Sequence, residues 1–408
     1  MHVDRRPKPA YLFLLLTCLF LLFTLNPASA GDWYVVPKID LGAKLNSNIN
    51  FNFDQQRSDL IFNVSPSVDF KYDSEITKLT GSLALDGLVY VKNPNIDTIN
   101  QYYRVSGQHK VSPRLALTFA GGYSLDTTLR EELLESGFIM NRTRRQGFNV
   151  APEFTFNLTE RALLRWGYAF SGANYQDPRY NDYSTHVMNL GLNYLLKNAK
   201  TTLTATILGR YTEYPSIGNF YRNLGIYAGL EHKFSEDWSL ALSAGANFNR
   251  FSSQTAVLDF GFFPDFVQVP QATETTFTVS PFLNVAATKR WQKSNLTFGY
   301  GIDQRPSAAG SIYQSHRGNA GFTHKFTERL QGGLRGSFYY SRATSPGSNY
   351  DNVVFYLVPN VQYRLTERLS LNSSYSFGWR YDLVRDRSTD QHVVWLSLSY
   401  AHPLYYKK

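Results

Sequence analysis

The phrase His324-Lys325-Phe326-Thr327-Glu328-Arg329-Leu330 recurs along the chain. It returns as His232-Lys233-Phe234-Ser235-Glu236-Asp237-Trp238 and as Tyr363-Arg364-Leu365-Thr366-Glu367-Arg368-Leu369. Looser copies are His109-Lys110-Val111-Ser112-Pro113-Arg114-Leu115 and Phe156-Asn157-Leu158-Thr159-Glu160-Arg161-Ala162. Ser or Thr followed by Glu or Pro suits a tight turn, because the hydroxyl bonds nearby backbone and Pro presets φ. On both sides the sequence alternates apolar and polar residues, the period of a strand with two unlike faces. One such phrase makes a hairpin. Five of them require a hairpin array, and closing that array on itself removes its exposed edges.

The alternation is clearest where Leu60, Phe62, Val64, Pro66, Val68, Phe70 and Tyr72 interleave with Ile61, Asn63, Ser65, Ser67, Asp69 and Lys71. Marking every stretch that keeps this step predicts 18 strands between Tyr34 and Tyr400, within a range of 16–20. Each has the length a tilted membrane strand needs, roughly nine to eleven residues. The turns after Tyr72, Val111, Phe156, Tyr194, Phe234, Ala287, Phe326 and Leu365 are short, and those between are longer, the longest near 126–146 and 250–275. Short periplasmic turns alternating with long external loops mark an up-and-down transmembrane antiparallel β-barrel, all-β in class. The repeated phrase then marks the periplasmic rim, with His109, His232 and His324 on the outer face. Pro37, Pro66, Pro152, Pro281 and Pro359 fall inside strands on the apolar face, where bulges or bends are expected. A soluble sandwich or propeller would have a more apolar core face and fewer aromatics at strand ends.

Composition agrees with a barrel. Mean hydropathy is −0.31, yet the chain carries 28 Tyr and 29 Phe, the pairing expected of a polar lumen with aromatic girdles. Arg5, Arg6 and Lys8 precede an apolar run from Tyr11 to Leu25 and a small-residue site at Ala28-Ser29-Ala30. That run is shorter than the roughly 20 residues of a spanning helix and reads as a secretory signal peptide cut after Ala30. The expected domains are therefore 1–30, the signal, and 31–408, one barrel. The lone Cys18 leaves with the signal, so the mature chain offers no disulfide, no thiolate metal site and no haem-attachment motif. No cofactor is expected. The chain closes on a good final strand, although Tyr405-Tyr406 is followed by Lys407-Lys408 rather than ending on an aromatic residue.

With the apolar face turned to lipid, the opposite parity lines the lumen. This inward set holds Arg104, Lys110, Arg165, Arg210, Lys233, Arg317, Lys325, Arg335, Arg364 and Arg380, against Asp69, Asp86, Glu153, Glu231 and Asp303. An excess of cations along a pore wall concentrates anions and lowers the barrier to their passage. The competing reading is that these cations pair with the acids and hydrate a plugged lumen. Two segments could constrict it: Leu129–Ser136, with helical spacing ahead of the basic Arg142, Arg144 and Arg145, and the aromatic Leu258–Phe266.

An outer-membrane lipid enzyme would need a Ser with an oriented His. The candidates are His186 and His316, near the external rim with lipid-facing parity, where a role in the interfacial belt is the alternative. The expectation is that the chain is not an enzyme.

Pro37-Lys38-Ile39-Asp40-Leu41-Gly42, then Asn48-Ile49-Asn50, then Ser58-Asp59-Leu60-Ile61-Phe62-Asn63-Val64-Ser65-Pro66-Ser67-Val68, open the mature chain. This order resembles the bacterial outer-membrane family of β-barrel porin 2 type, whose members are often similar to barrels encoded with exopolysaccharide export systems. The resemblance implies a conduit for an anionic polymer. The expectation is a porin-like outer-membrane channel for anionic solutes or exported polysaccharide. The alternative is a sleeve around a separate multihaem cytochrome. Expected partners are outer-membrane lipid and lipopolysaccharide, the barrel-assembly machinery, and polysaccharide-export or cytochrome proteins, with no nucleic acid.

Overall fold

The computed structural model describes residues 31–127, 142–255, 272–344 and 350–406. The signal segment, Leu129–Ser136 and Leu258–Phe266 lie outside them.

The five repeated phrases fold alike. In each, the Ser or Thr hydroxyl accepts the backbone N–H groups two and three residues on, as Thr327 Oγ1 does from Arg329 at 3.2 Å and Leu330 at 2.9 Å. Thr366, Thr159, Ser235 and Ser112 do the same. Three histidines brace this rim. Nδ1 of His109, His232 and His324 meets the hydroxyl of the residue directly across the ladder, Thr77, Thr201 and Ser294, at 2.8, 2.8 and 2.7 Å.

From these turns rise β1 (Asp32–Asn46), β2 (Asp59–Asp73), β3 (Thr77–Tyr90), β4 (Thr98–Lys110), β5 (Leu115–Thr127) and β6 (Arg144–Asn157). Next are β7 (Ala162–Tyr175), β8 (Tyr183–Leu195), β9 (Thr201–Tyr214), β10 (Asn219–Lys233), β11 (Trp238–Thr255) and β12 (Ala272–Arg290). The last group is β13 (Ser294–Pro306), β14 (Ile312–Lys325), β15 (Leu330–Ala343), β16 (Asp351–Arg364), β17 (Leu369–Asp382) and β18 (Arg387–Ala401). Each pairs antiparallel with the next, and β1 pairs with β18 from Lys38↔Ala401 to Asn46↔Val393. After a break at His402 and Pro403, the short β19 (Leu404–Tyr406) continues along β1 in the same register. This is a closed antiparallel barrel of 18 spanning strands. No helix among the described residues is long and apolar enough to cross a membrane. Crossing is the work of the strands, whose outer face exposes Leu41, Phe62, Leu83, Trp166, Ile207 and Leu396. That apolar belt, in a chain whose backbone groups are paired within a closed sheet, belongs to an outer-membrane barrel.

Three details depart from the sequence expectation. The prolines do not make bulges. The ladder lapses at 65–66, 151–152 and 358–359, around Pro66, Pro152 and Pro359, yet resumes with its register unchanged. Each lapse is what a missing N–H produces without an added residue. The external connections are also not uniformly long, since 215–218 and 383–386 are as short as the periplasmic turns. There the flanking strands run nearly to the external rim and need little to join them. Finally, β11 and β12 extend past the predicted boundaries, to Thr255 and from Ala272.

One ladder stops short. β11 and β12 pair up to Thr255↔Ala272, and β13 and β14 pair up to Pro306↔Ile312, but β12 and β13 part above Leu283↔Ile302. Eleven residues of β12, Ala272–Phe282, therefore have β11 as their only strand partner among the described residues. Pro281, which can donate nothing to a ladder, lies two residues above the last pair.

Candidate functional site in the lumen

The freed end of β13 turns into the lumen, and the loop 307–311 goes with it. These residues are all small, as a tight turn prefers, yet Ser307 and Ala308 are fully buried and Ile312 and Tyr313 nearly so. Ala308 is buried among Ala173, Tyr175, Tyr180, Tyr183 and Tyr214, from β7 to β9. The Tyr214 hydroxyl donates to the Ser311 carbonyl at 3.1 Å and accepts the Ser307 N–H at 3.2 Å. Asn181 donates its backbone N–H to the Ala308 carbonyl at 2.8 Å, and Asn219 Nδ2 donates to the Gly310 carbonyl at 3.3 Å. Gly310 has φ +74°, a conformation glycine adopts without steric cost. A Cβ there would meet Ile217 Cδ1 at 2.5 Å.

Below the tip, Arg210 Nη1 donates to the Gln304 carbonyl at 2.5 Å, and Nη2 lies 3.5 Å from Asp303 Oδ2. The Tyr221 hydroxyl reaches Asn249 Oδ1 at 2.6 Å and Gln304 Oε1 at 2.9 Å. Asn223 donates to Asn247 and Asn249, and Asn249 donates to Ser280 at 3.1 Å. This polar layer fills the space between the hairpin and the inner faces of β10, β11 and β12. Most of these buried polar groups find partners within the layer, which limits the cost of burying them, while Asn223 Oδ1 and Asn247 Nδ2 make no hydrogen bond among the described residues.

On the far side of the hairpin a cavity of about 820 Å³ remains. Its charged lining is Arg104, Arg145, Arg210 and Arg305 against Asp303. The uncharged lining mixes hydroxyl, amide, tyrosine and glycine groups such as Tyr102, Ser106, Gly122, Asn149 and Thr185 with the apolar Phe148 and Val187. Asp303 lies 3.5 Å from Arg210 and 4.0 Å from Arg305.

The ten basic residues read from parity fall into groups. Arg104 and Arg210 line the cavity. Arg165 donates to Asn193 Oδ1 at 3.3 Å lower in the wall. Arg335 is exposed on β15, and Arg317 is partly buried on β14. Arg380 is buried at the external end, donating to Asn352 Oδ1 at 3.1 Å with its guanidinium 4.6 Å from the Phe53 ring. Lys110, Lys233, Lys325 and Arg364 are the last residues of β4, β10, β14 and β16, exposed at the periplasmic mouth. Parity reading missed Arg290, which ends β12 at the same level, because the strand was expected to stop at Ala287. It also missed Arg145 and Arg305. Arg145 stood in a basic cluster read as loop, and the inward turn of Arg305's strand has no local sign. Among the acids, Asp69 pairs with Lys38 and Asp86 accepts from Ser65 Oγ at 2.6 Å.

His186 and His316 are each engaged through Nδ1 by a tyrosine hydroxyl, Tyr168 at 2.8 Å and Tyr300 at 2.9 Å, and His392 is held by Tyr375 at 2.6 Å. The repetition is that of an interfacial aromatic belt rather than of a single nucleophile–base pair.

No protein-family model and no curated protein matches the chain. Solved structures similar to it include Pseudomonas aeruginosa OccK2 (OpdF), at 13% identity over 93% of this chain and 98% of that one, with TM-score 0.47. The outer membrane protein OpdK of P. aeruginosa follows at 12%, 91%, 99% and 0.45, and Acinetobacter baumannii OccAB3 at 9%, 91%, 99% and 0.45. At such identities and scores the likeness goes no further than the barrel. The chain's function has to be read from its own residues.

Proposed function

We propose that the chain is an outer-membrane channel whose arginine-lined lumen passes or guides anionic solutes, exported polysaccharide included, past an inward hairpin. The supporting observation is the cavity beside that hairpin, with Arg104, Arg145, Arg210 and Arg305 set against Asp303. The basic strand ends Lys110, Lys233, Arg290, Lys325 and Arg364 carry the same sign to the periplasmic mouth. A charged wall of one sign raises the local concentration of the opposite ion and sets selectivity. The β-barrel porin 2 resemblance, with its link to polysaccharide export, agrees with this sign. The hairpin occupies lumen that a cytochrome inside a sleeve would need, which weighs against that alternative.

The test is single-channel recording of the refolded mature chain in a planar bilayer under a salt gradient. Anion-selective openings whose selectivity falls in Arg104→Gln and Arg335→Gln support the channel. Cation selectivity, or no conductance from a correctly folded barrel, overturns it.

A further inference from the structure

Across the outer face near the external rim, the registers align one row: His186↔Tyr211, Tyr211↔Arg222, Arg222↔Arg250 and Arg250↔Phe277. Arg222 and Arg250 are thus directly opposite each other, both exposed, and both share the parity of the lipid-facing Leu224 and Phe248. Like charges directly opposite across a ladder repel. Among the described residues, neither arginine has an ion-pair partner. Their contacts are aromatic: Arg222 over Phe220 at 5.1 Å and Tyr211 at 5.8 Å, and Arg250 over Phe277 at 5.4 Å. Glu213, the nearest outward carboxylate in register, accepts from Ser184 Oγ at 2.9 Å.

Beneath the pair lies a groove of about 400 Å³, walled by Leu224, Phe248, Phe277 and Val279. Phe277 and Val279 are 72% and 69% exposed, more than any other large apolar residue described, because β13 has left their side. Gly209, paired with Leu224, leaves open space where a side chain would stand. Two guanidiniums at the level of the aromatic belt, over an apolar trough running toward the membrane centre, match an amphiphile with a phosphate head and acyl chains. Arginine suits the head, since its planar fork binds phosphate bidentately.

We infer that Arg222 and Arg250 clamp the phosphate of an outer-leaflet lipid whose chains lie in the groove along Phe248 and Val279. This rests on the barrel's seat in the membrane, not on its conduction. The bound anion relieves the repulsion between the two arginines, and the acyl chains cover the exposed side of β12.

The experiment measures retention of diphosphoryl lipid A by the folded mature barrel in detergent, using native mass spectrometry. It compares the parent with the Arg222→Gln/Arg250→Gln double variant, each first shown to fold by its heat-sensitive gel migration. The parent is expected to retain the lipid at least about tenfold more tightly than the double variant, roughly the loss of one charge-assisted contact. An Arg222→Lys/Arg250→Lys barrel keeps the charge and falls between the two, which also supplies the comparison if the glutamine variant does not fold. Dephosphorylated lipid A should bind all three alike. Equal retention of diphosphoryl lipid A by parent and variants overturns the inference. So does inorganic phosphate binding the parent as tightly as the lipid, which would mark a site for free anions.

Discussion

Arg210 on β9 holds the end of β13, which lies far along the sheet, by donating to the Gln304 carbonyl at 2.5 Å. The contact joins residues 94 positions apart and keeps a piece of wall inside the lumen. A charge-assisted bond of this kind contributes about 1.5–3 kcal/mol, enough to decide where a short strand end rests. Arg210→Gln should therefore lower the thermal midpoint of the folded barrel, while raising single-channel conductance and open-channel noise. Unchanged conductance with lowered stability would show that the hairpin stays in place without this contact.

The tip is a second, separable anchor. Tyr214→Phe removes the hydroxyl between Ser307 and Ser311 and should cost about 1–3 kcal/mol through the buried groups it leaves unpaired. Gly310→Val adds a left-handed strain and a collision with Ile217. Both should increase current noise without shifting ion selectivity, since neither touches the cavity arginines. A change in reversal potential would contradict that separation.

At the periplasmic rim the three His–hydroxyl pairs are alike and far apart, so their effects should add. Replacing His109, His232 and His324 singly by Ala should each cost about 0.5–1.5 kcal/mol, and the triple variant close to the sum. Urea titration of the folded barrel reads this, with conductance unaffected.

Acid should loosen the tip from the outside. In the external loop that presents Asn181, Asp177 accepts from Arg179 Nε at 3.0 Å and Nη2 at 2.5 Å, and this bond holds its carboxyl below the usual range. Because the folded pKa is depressed, the contribution is complete above the ordinary carboxylate value of about 4 and is lost as pH falls. Channel noise should be flat from pH 5 to 8 and rise below about 4. In Arg179→Ala the noise should sit at the acid level throughout. A rise that persists unchanged in that variant assigns it to other carboxylates.

The strands were legible because a membrane barrel puts water on one side and lipid on the other, and that contrast writes itself into every second residue, as in Leu60–Tyr72. Turn chemistry was legible for the same local reason, a hydroxyl two or three residues from the N–H groups it accepts. The inward hairpin was not. Ser307–Ser311 reads as an ordinary short external turn, and only its distant partners Tyr214, Asn181 and Asn219 make it a constriction. Pro281 was visible as an oddity in a strand, but the ladder that ends beside it is a property of two strands. The Arg222–Arg250 pair escaped because each arginine alone is unremarked at an interface, and only the register sets them face to face.

The hairpin is both part of the wall and an obstruction within the bore, and this ties two properties of the barrel together. Were β13 to zip further along β12, it would close the side of the cylinder and withdraw the obstruction in the same movement. Were it to fold deeper, the aperture would narrow while the side lay more open to the bilayer. Aperture and sidewall are thus reciprocal, and conditions that favour a sealed wall, such as a thicker or more ordered outer leaflet, should also favour the wider pore.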